Sequence, residues 1–162
     1  MEDAKREFIP LNLAVLTVSD SRTEADDKSG NKLVSLLEKD GHRNIDKQIV
    51  RDDRYEIRAV VSKWIADPDV QAIITTGGTG LTGRDGTPEA IEPLFDKKID
   101  GFGEMFRLIS KEEIGMSTVQ SRAVAGMANH TGIFCLPGSS GACKTAWDDI
   151  LLAQLDARHK PC

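Results

Sequence analysis

No stretch of this chain approaches the roughly 20 consecutive apolar residues that a membrane helix needs, so a membrane-spanning role is excluded. It also lacks any long basic run, and its net charge is −5, which argues against a nucleic-acid backbone as the main partner. Cysteine is scarce: of Cys135, Cys143 and Cys162, none forms a Cys-x-x-Cys pair and none has a histidine at metal-binding spacing. All three read as reduced thiols. The leading Met1-Glu2-Asp3-Ala4-Lys5-Arg6-Glu7 carries both charges and has no apolar signal core, so the protein is expected to remain where it is made, in the cytoplasm. No internal repeat, low-complexity tract or interdomain linker is present, and no Gly-Lys-Ser or Gly-Lys-Thr closes a glycine loop, which removes the P-loop class.

What is present suits an ordinary soluble protein: 162 residues, 40% hydrophobic and 29% charged, enough for one domain over 1–162 with a full core. Residues 1–11 read as a flexible or oligomer-contacting N-terminal arm. Asn12–Val18 reads as a buried strand ending in Ser19-Asp20-Ser21, and Asp27–Asp40 as a helix carrying Leu33, Val34, Leu36 and Leu37 inward. His42–Val50 is a weaker strand pattern ending in Arg51-Asp52-Asp53. Tyr55–Asp67 is the clearest helix, with Ile57, Val60, Val61, Trp64 and Ile65 on one face, stopped by Asp67-Pro68-Asp69. A third strand covers Val70–Thr75, and a helix is expected from Pro88 to about Asp96. Asp100-Gly101-Phe102-Gly103 reads as a break before a helix over Glu104–Ile114 that Gly115 ends. Thr118–Asn129 suggests a short helical turn and an outer strand. Thr131–Leu136 reads as a fourth buried strand, and a closing helix is expected from Ala142 to about Ala157. This alternation predicts a mainly parallel sheet covered by helices on both faces, an α/β three-layer α/β/α sandwich.

Between Thr75 and Gly86 lie five glycines and four threonines, directly after a predicted strand. Such a loop frees the backbone for left-handed angles and exposes N–H groups to phosphate. Thr87 is the expected N-cap of the helix that follows, with Pro88 at its first position and Glu89 at the positive end of its dipole. Gly78-Thr79-Gly80-Leu81-Thr82-Gly83 satisfies the dinucleotide pattern Gly-x-Gly-x-x-Gly. That reading is the weaker one, because the first strand has no such loop and the expected acidic residue on a next strand is missing. A phosphate cradle beside acidic residues is instead the composition that holds Mg²⁺ between carboxylates and a polyphosphate. Ligands on such sheets sit at the carboxyl ends of strands, where Ser19-Asp20-Ser21, Asp52, the Thr76–Asp85 loop and Pro137–Gly141 should converge. Asp52 or Asp53 could equally serve as a helix cap, Ser139 or Ser140 could cap the last helix, and Glu104 alone reads as a solvated helix-start carboxylate.

Thr75-Thr76-Gly77-Gly78-Thr79-Gly80, Arg84-Asp85-Gly86-Thr87-Pro88-Glu89-Ala90, Gly101-Phe102-Gly103-Glu104 and Leu136-Pro137-Gly138-Ser139 together resemble the MogA/MoaB family of molybdenum cofactor biosynthesis proteins, also found as a domain of gephyrin and plant Cnx proteins. Glu113-Ile114-Gly115, Ser121–Gly126 and Ala142–Trp147 look closest to the MoaB branch. The resemblance implies a molybdopterin-binding fold, a trimer or hexamer, contact with other proteins of the same biosynthesis, and adenylyl transfer from Mg-ATP to the terminal phosphate of molybdopterin. The family's two active-site aspartates fall on Asp52 and Asp85, which would also hold the Mg²⁺. Arg51-Asp52-Asp53 departs from the family's usual proline before the first, so Asp53 is the alternative equivalent. Substrate contacts would come from Ser19, Asp20, Ser21, Thr76, Gly77, Gly78, Thr79, Gly80, Glu104, Pro137, Gly138, Ser139, Ser140 and Gly141. A non-catalytic molybdopterin-binding scaffold of the same fold is the alternative.

Overall fold

The computed structural model describes residues 6–159; Cys162 and the first five residues of the expected N-terminal arm lie outside them. Six strands form one sheet: β1 (Asn12–Val18), β2 (Arg43–Val50), β3 (Ala72–Thr76), β4 (Lys97–Lys98), β5 (Val124–Ala128) and β6 (Thr131–Leu136). They run in the order β2-β1-β3-β6-β5-β4. The β1/β2, β1/β3 and β3/β6 pairings are parallel, while β5 and β4 add an antiparallel edge. Register sets Thr17 beside Thr76 and Thr76 beside Leu136, so the central strands end level at one rim.

Alternation along the strands divides the core into two layers. On one face Leu13, Val15, Ile74, Phe134 and Leu136 meet α1 (Lys28–Lys39), α4 (Asp100–Ile114) and α5 (Ser140–Ala146). On the other, Ala14, Leu16, Ile73, Ile133 and Cys135 meet α2 (Arg54–Ala66) and α3 (Thr87–Ile91). These strands read as continuous apolar runs because helices cover both sides. Both tryptophans are buried, as expected, each with its indole N–H satisfied: Trp64 donates to Asp46 and Trp147 to Asp40. Burial of the thiols pushes Cys135 up to about 12 and Cys143 up to about 11, in keeping with inert reduced cysteines.

Several boundaries differ from the sequence expectation. The helix after the glycine loop ends at Ile91 and continues only as a 3-10 turn, Glu92–Leu94, because Pro93 has no amide to donate. Arg58 takes over the freed carbonyls, donating to those of Glu89 and Ala90. Asp100–Gly103 is no break but the first turn of α4. A Cβ on Gly103 would lie 2.8 Å from the Ala123 carbonyl, so glycine is what lets the helix start against β5. The closing helix passes through a π turn at Trp147–Leu151 and stops at Gln154. Of the N-terminal arm, Phe8 packs on His42 and the Leu11 amide donates to His42 Nδ1. Among the described residues, no helix is long and apolar enough to cross a membrane.

Candidate functional site

The glycine loop leaves β3 through two consecutive residues with positive φ, Gly77 at 99° and Gly78 at 71°. Both positions are closed to side chains. A Cβ on Gly77 would meet the Val18 carbonyl at 2.2 Å, and one on Gly78 would meet Thr87 Oγ1 at 2.1 Å and Asp52 Oδ2 at 2.9 Å. Thr87 was expected to cap α3; its hydroxyl instead donates back to the Gly77 carbonyl at 2.9 Å while its amide donates to Gly78 O at 3.0 Å. The cap position is Gly86, with no side-chain bond. A local capping rule cannot see a carbonyl ten residues upstream, and the tertiary bond prevails.

The aspartate doublet after β2 is divided cleanly. Asp53 caps α2, its Oδ1 accepting the amides of Tyr55 and Glu56 at 2.9 Å each, and these bonds hold its carboxyl below the usual range. Asp52 is free of that duty and turns to the rim, where its Oδ1 accepts the Gly86 amide at 3.1 Å. Burial raises the pKa of Asp52, the Gly86 bond opposes the rise, and the neighbouring charges of Asp85 and Asp20 add to it. Asp85 sits across the loop, with Oδ2 accepting from both the amide and the hydroxyl of Thr82. Gly80 makes room for that carboxylate: a Cβ there would be 2.7 Å from Asp85 Oδ2.

The other expected residues divide between the lining and the frame. Asp20 holds Arg84 in a two-pronged ion pair, at 2.8 and 3.1 Å, and also accepts the Asp52 amide at 3.1 Å; the Arg84 bond keeps its carboxyl below the ordinary value. Ser19 Oγ accepts the amides of Ser21 and Arg22 and so shapes the β1–α1 turn, with Ser21 exposed beside it. Thr76 is buried and its hydroxyl donates to the Pro137 carbonyl at 2.8 Å, which ties β3 to the turn after β6. Gly138 lies against Gly77, and Ser139 caps α5 by accepting the Ala142 amide at 3.1 Å. Ser140 and Gly141 are exposed in the first turn of α5.

Three recesses flank the loop. One of about 140 Å³ opens over Gly77 between Ser19, Arg22, Lys28 and Gly138. A second, about 270 Å³, is bounded by Asp52, Asp53, Arg84 and Gly86. The third, about 370 Å³, runs from Thr79 and Gly80 to Ser121, Ser139 and Gly141. Glu104 lines none of the three; it is exposed on α4, away from the face that carries Phe106, Ser110 and Glu113 to the third recess.

The oxygen-only donors at Asp52 and Asp85 suit a hard divalent cation. Among the described residues no group of three or more His, Cys, Asp or Glu side chains is placed to hold a metal. Two carboxylates would leave the rest of an octahedron to waters and phosphate oxygens, the usual arrangement for Mg²⁺ on a nucleotide.

Three residues that brace the rim carry no sequence signal of that role. Arg84 and Arg122 act through carbonyl and carboxylate partners distant in the chain, which leave no local pattern, although both fall inside the stretches that carry the family resemblance. Asp27 is 1% exposed and joins Thr17 Oγ1, Lys47 Nζ and the Gly30 amide, fixing the end of β1 to the start of α1.

Comparison with known proteins places this chain in a family. Residues 14–157 match the model of a family described as a probable molybdopterin binding domain. Molybdenum cofactor biosynthesis protein B of Escherichia coli (strain K12) is 57% identical over 162 residues, covering 100% of this chain and 95% of the relative. A crystal structure of a molybdenum cofactor biosynthesis protein B aligns with a TM-score of 0.88 at 42% identity, covering 94% of each chain. The tungsten cofactor synthesizing protein MoaB from Pyrococcus furiosus aligns at 0.80 and 40% identity, covering 88% of this chain and 91% of that one.

Proposed function

The chain belongs to the molybdopterin-binding domain family of molybdenum cofactor biosynthesis proteins, and from that premise we propose that it transfers the adenylyl group of Mg-ATP to the terminal phosphate of molybdopterin. The observation that carries this reading is the placing of the Asp52 and Asp85 carboxylates, close enough for the charge of one to act on the other, against Gly78 and Gly80 of a glycine loop too tight there for any side chain.

In this reading an oxygen of the molybdopterin phosphate attacks the α-phosphorus of ATP. The bond to the β-phosphate breaks, and pyrophosphate leaves with its electron pair. Asp52 and Asp85 would hold Mg²⁺, whose charge would offset that building on the departing pyrophosphate. The chain itself provides no covalent nucleophile. Its amides at Gly78, Thr79 and Gly80 and its recesses hold the two substrates in line, which is where most of the rate in phosphoryl chemistry arises, while the Gly77 amide is already bonded to the Leu136 carbonyl at 3.0 Å. Arg22 and Lys28 beside Gly77 offer positive charge to a phosphate at the shallow recess.

The test is molybdopterin- and ATP-dependent release of pyrophosphate by the pure protein. Asp85→Asn should abolish release while leaving the fold intact; near-normal turnover by that variant would remove Asp85 from the mechanism. The second reading, a binding protein that does not catalyse, draws on the two bonds by which Thr82 already occupies Asp85 Oδ2. Molybdopterin binding without any pyrophosphate release would establish it.

Self-association as a trimer or hexamer, and contact with other proteins of the same biosynthesis, are part of the proposal. Their support is the exposed apolar series Met105, Leu108, Ile114, Met116 and Val119 along α4 and the turn after it. Light scattering on the purified chain tests the first.

A further inference from the structure

Arg122 reaches the glycine loop across the 85–86 peptide from Asp52. Its Nε donates to the carbonyls of Thr79 and Gly80, both at 3.0 Å, its Nη2 donates to the carbonyl of Asp85 at 3.2 Å, and its Nη1 pairs with Glu89. One planar guanidinium thus binds both arms of the loop and the first turn of α3. Its side chain is 26% exposed: the bonds to Thr79 and Asp85 are partly buried, and those to Gly80 and Glu89 face water.

The peptide joining Asp85 to Gly86 gives the arrangement its meaning. Its carbonyl accepts from Arg122 and its amide donates to Asp52 Oδ1. In a trans peptide these two groups point in opposite directions on one rigid plane, and no cis bond occurs among the described residues. Anchoring the carbonyl therefore aims the amide. The carbonyls of Thr79 and Gly80 are held the same way, which turns the following amides away from Arg122.

We infer that Arg122 is a positioning residue for the phosphate site: by holding three loop carbonyls from behind, it fixes the 85–86 peptide plane and, through it, the Asp52 carboxylate. The role requires the fork of donors that arginine has and lysine lacks, so positive charge alone does not fulfil it. The inference rests on the nucleotide reading for its functional consequence, but the coupling between Arg122 and the Gly86 amide stands apart from it.

The experiment uses the full chain as wild type, Arg122→Ala and Arg122→Lys. Amide hydrogen exchange is followed at Gly86 and at core amides of β1 and β3, and Mg-ATP affinity is measured by calorimetry. Both variants should lose protection at Gly86 with core amides unchanged, and should bind Mg-ATP about 10–100-fold more weakly, the range typical of groups that orient a ligand-holding residue. Millimolar guanidinium should restore protection and affinity to Arg122→Ala, where space is left for it. Unchanged protection at Gly86, or protection lost equally from the core, overturns the positioning role. Full affinity in Arg122→Lys would overturn the requirement for the fork. If the wild type does not bind Mg-ATP, the nucleotide reading falls, and exchange at Gly86 decides the role of Arg122 by itself.

Discussion

Asp52 Oδ1 accepts the amide of Gly86 from 34 positions further along the chain, while its neighbour Asp53 spends its carboxylate on the amides of Tyr55 and Glu56. Two adjacent residues of one type thus divide the glycine loop and the helix cap between them.

Asp52→Asn should make the protein more stable and less able to hold Mg-ATP. Burial raises the Asp52 pKa in the folded state, so its charged form weakens the fold. That penalty is absent below the unfolded carboxylate value and grows as pH rises through the raised folded one. Asparagine keeps the acceptor for Gly86 and removes the charge. A gain in Tm is expected at neutral pH, with the gain vanishing in acid. Thermal melts against pH check it, and calorimetry should show Mg-dependent nucleotide binding lost.

Asp53→Ala should do the reverse, costing about 1 kcal/mol through the lost α2 cap while leaving the pH dependence of nucleotide binding in place. Asp53→Ser should recover most of that stability in urea unfolding, since serine can accept the same amides. Loss of binding without loss of stability would instead make Asp53 the site residue.

Gly77→Ala should be among the most damaging changes in the chain, combining a φ of 99° with a Cβ 2.2 Å from a backbone carbonyl. A loss of at least about 2 kcal/mol is expected. Gly83→Ala, in the same loop but with nothing within 4 Å of the added carbon, should unfold like the wild type. Chemical denaturation of the pair checks both.

His42 should make the protein sensitive to mild acid. Its Nδ1 accepts the Leu11 amide at 3.0 Å and its buried Nε2 has no hydrogen-bond partner among the described residues, so the ring is held neutral. Burial depresses its pKa against the opposing charges of Asp156 and Asp40. Stability is therefore complete above the unfolded imidazole value of about 6.5 and falls as pH drops below it. Urea midpoints at about pH 7.5 and about pH 5.5 should differ more for wild type than for His42→Gln.

What the sequence revealed of this fold tracks how local each signal is. β1, β3 and β6 are unbroken apolar runs because both of their faces are covered, and they are recognisable at sight. β4 is two lysines at an edge and carries no pattern at all. Asp100–Gly103 looks like a break since glycine disfavours helix, yet Gly103 is there for a close approach to Ala123. The same division holds at the rim: the loop's glycines and Asp85 announce themselves, whereas the choice of Asp52 over Asp53 depends on which one meets Gly86. That pairing is a property of the folded chain.

The bonds that close the glycine loop span long stretches of chain: 34 positions between Asp52 and Gly86, 37 between Asp85 and Arg122, 61 between Thr76 and Pro137, and 64 between Asp20 and Arg84. Contacts at such separations form late, after the entropy of closing the intervening loops has been met. A chain emerging from the ribosome carries both aspartates well before it carries Arg122 or the turn after β6. The glycine loop consequently reaches its closed form only when β6 has joined the sheet, and a half-made chain carries the loop without the bonds that shape it.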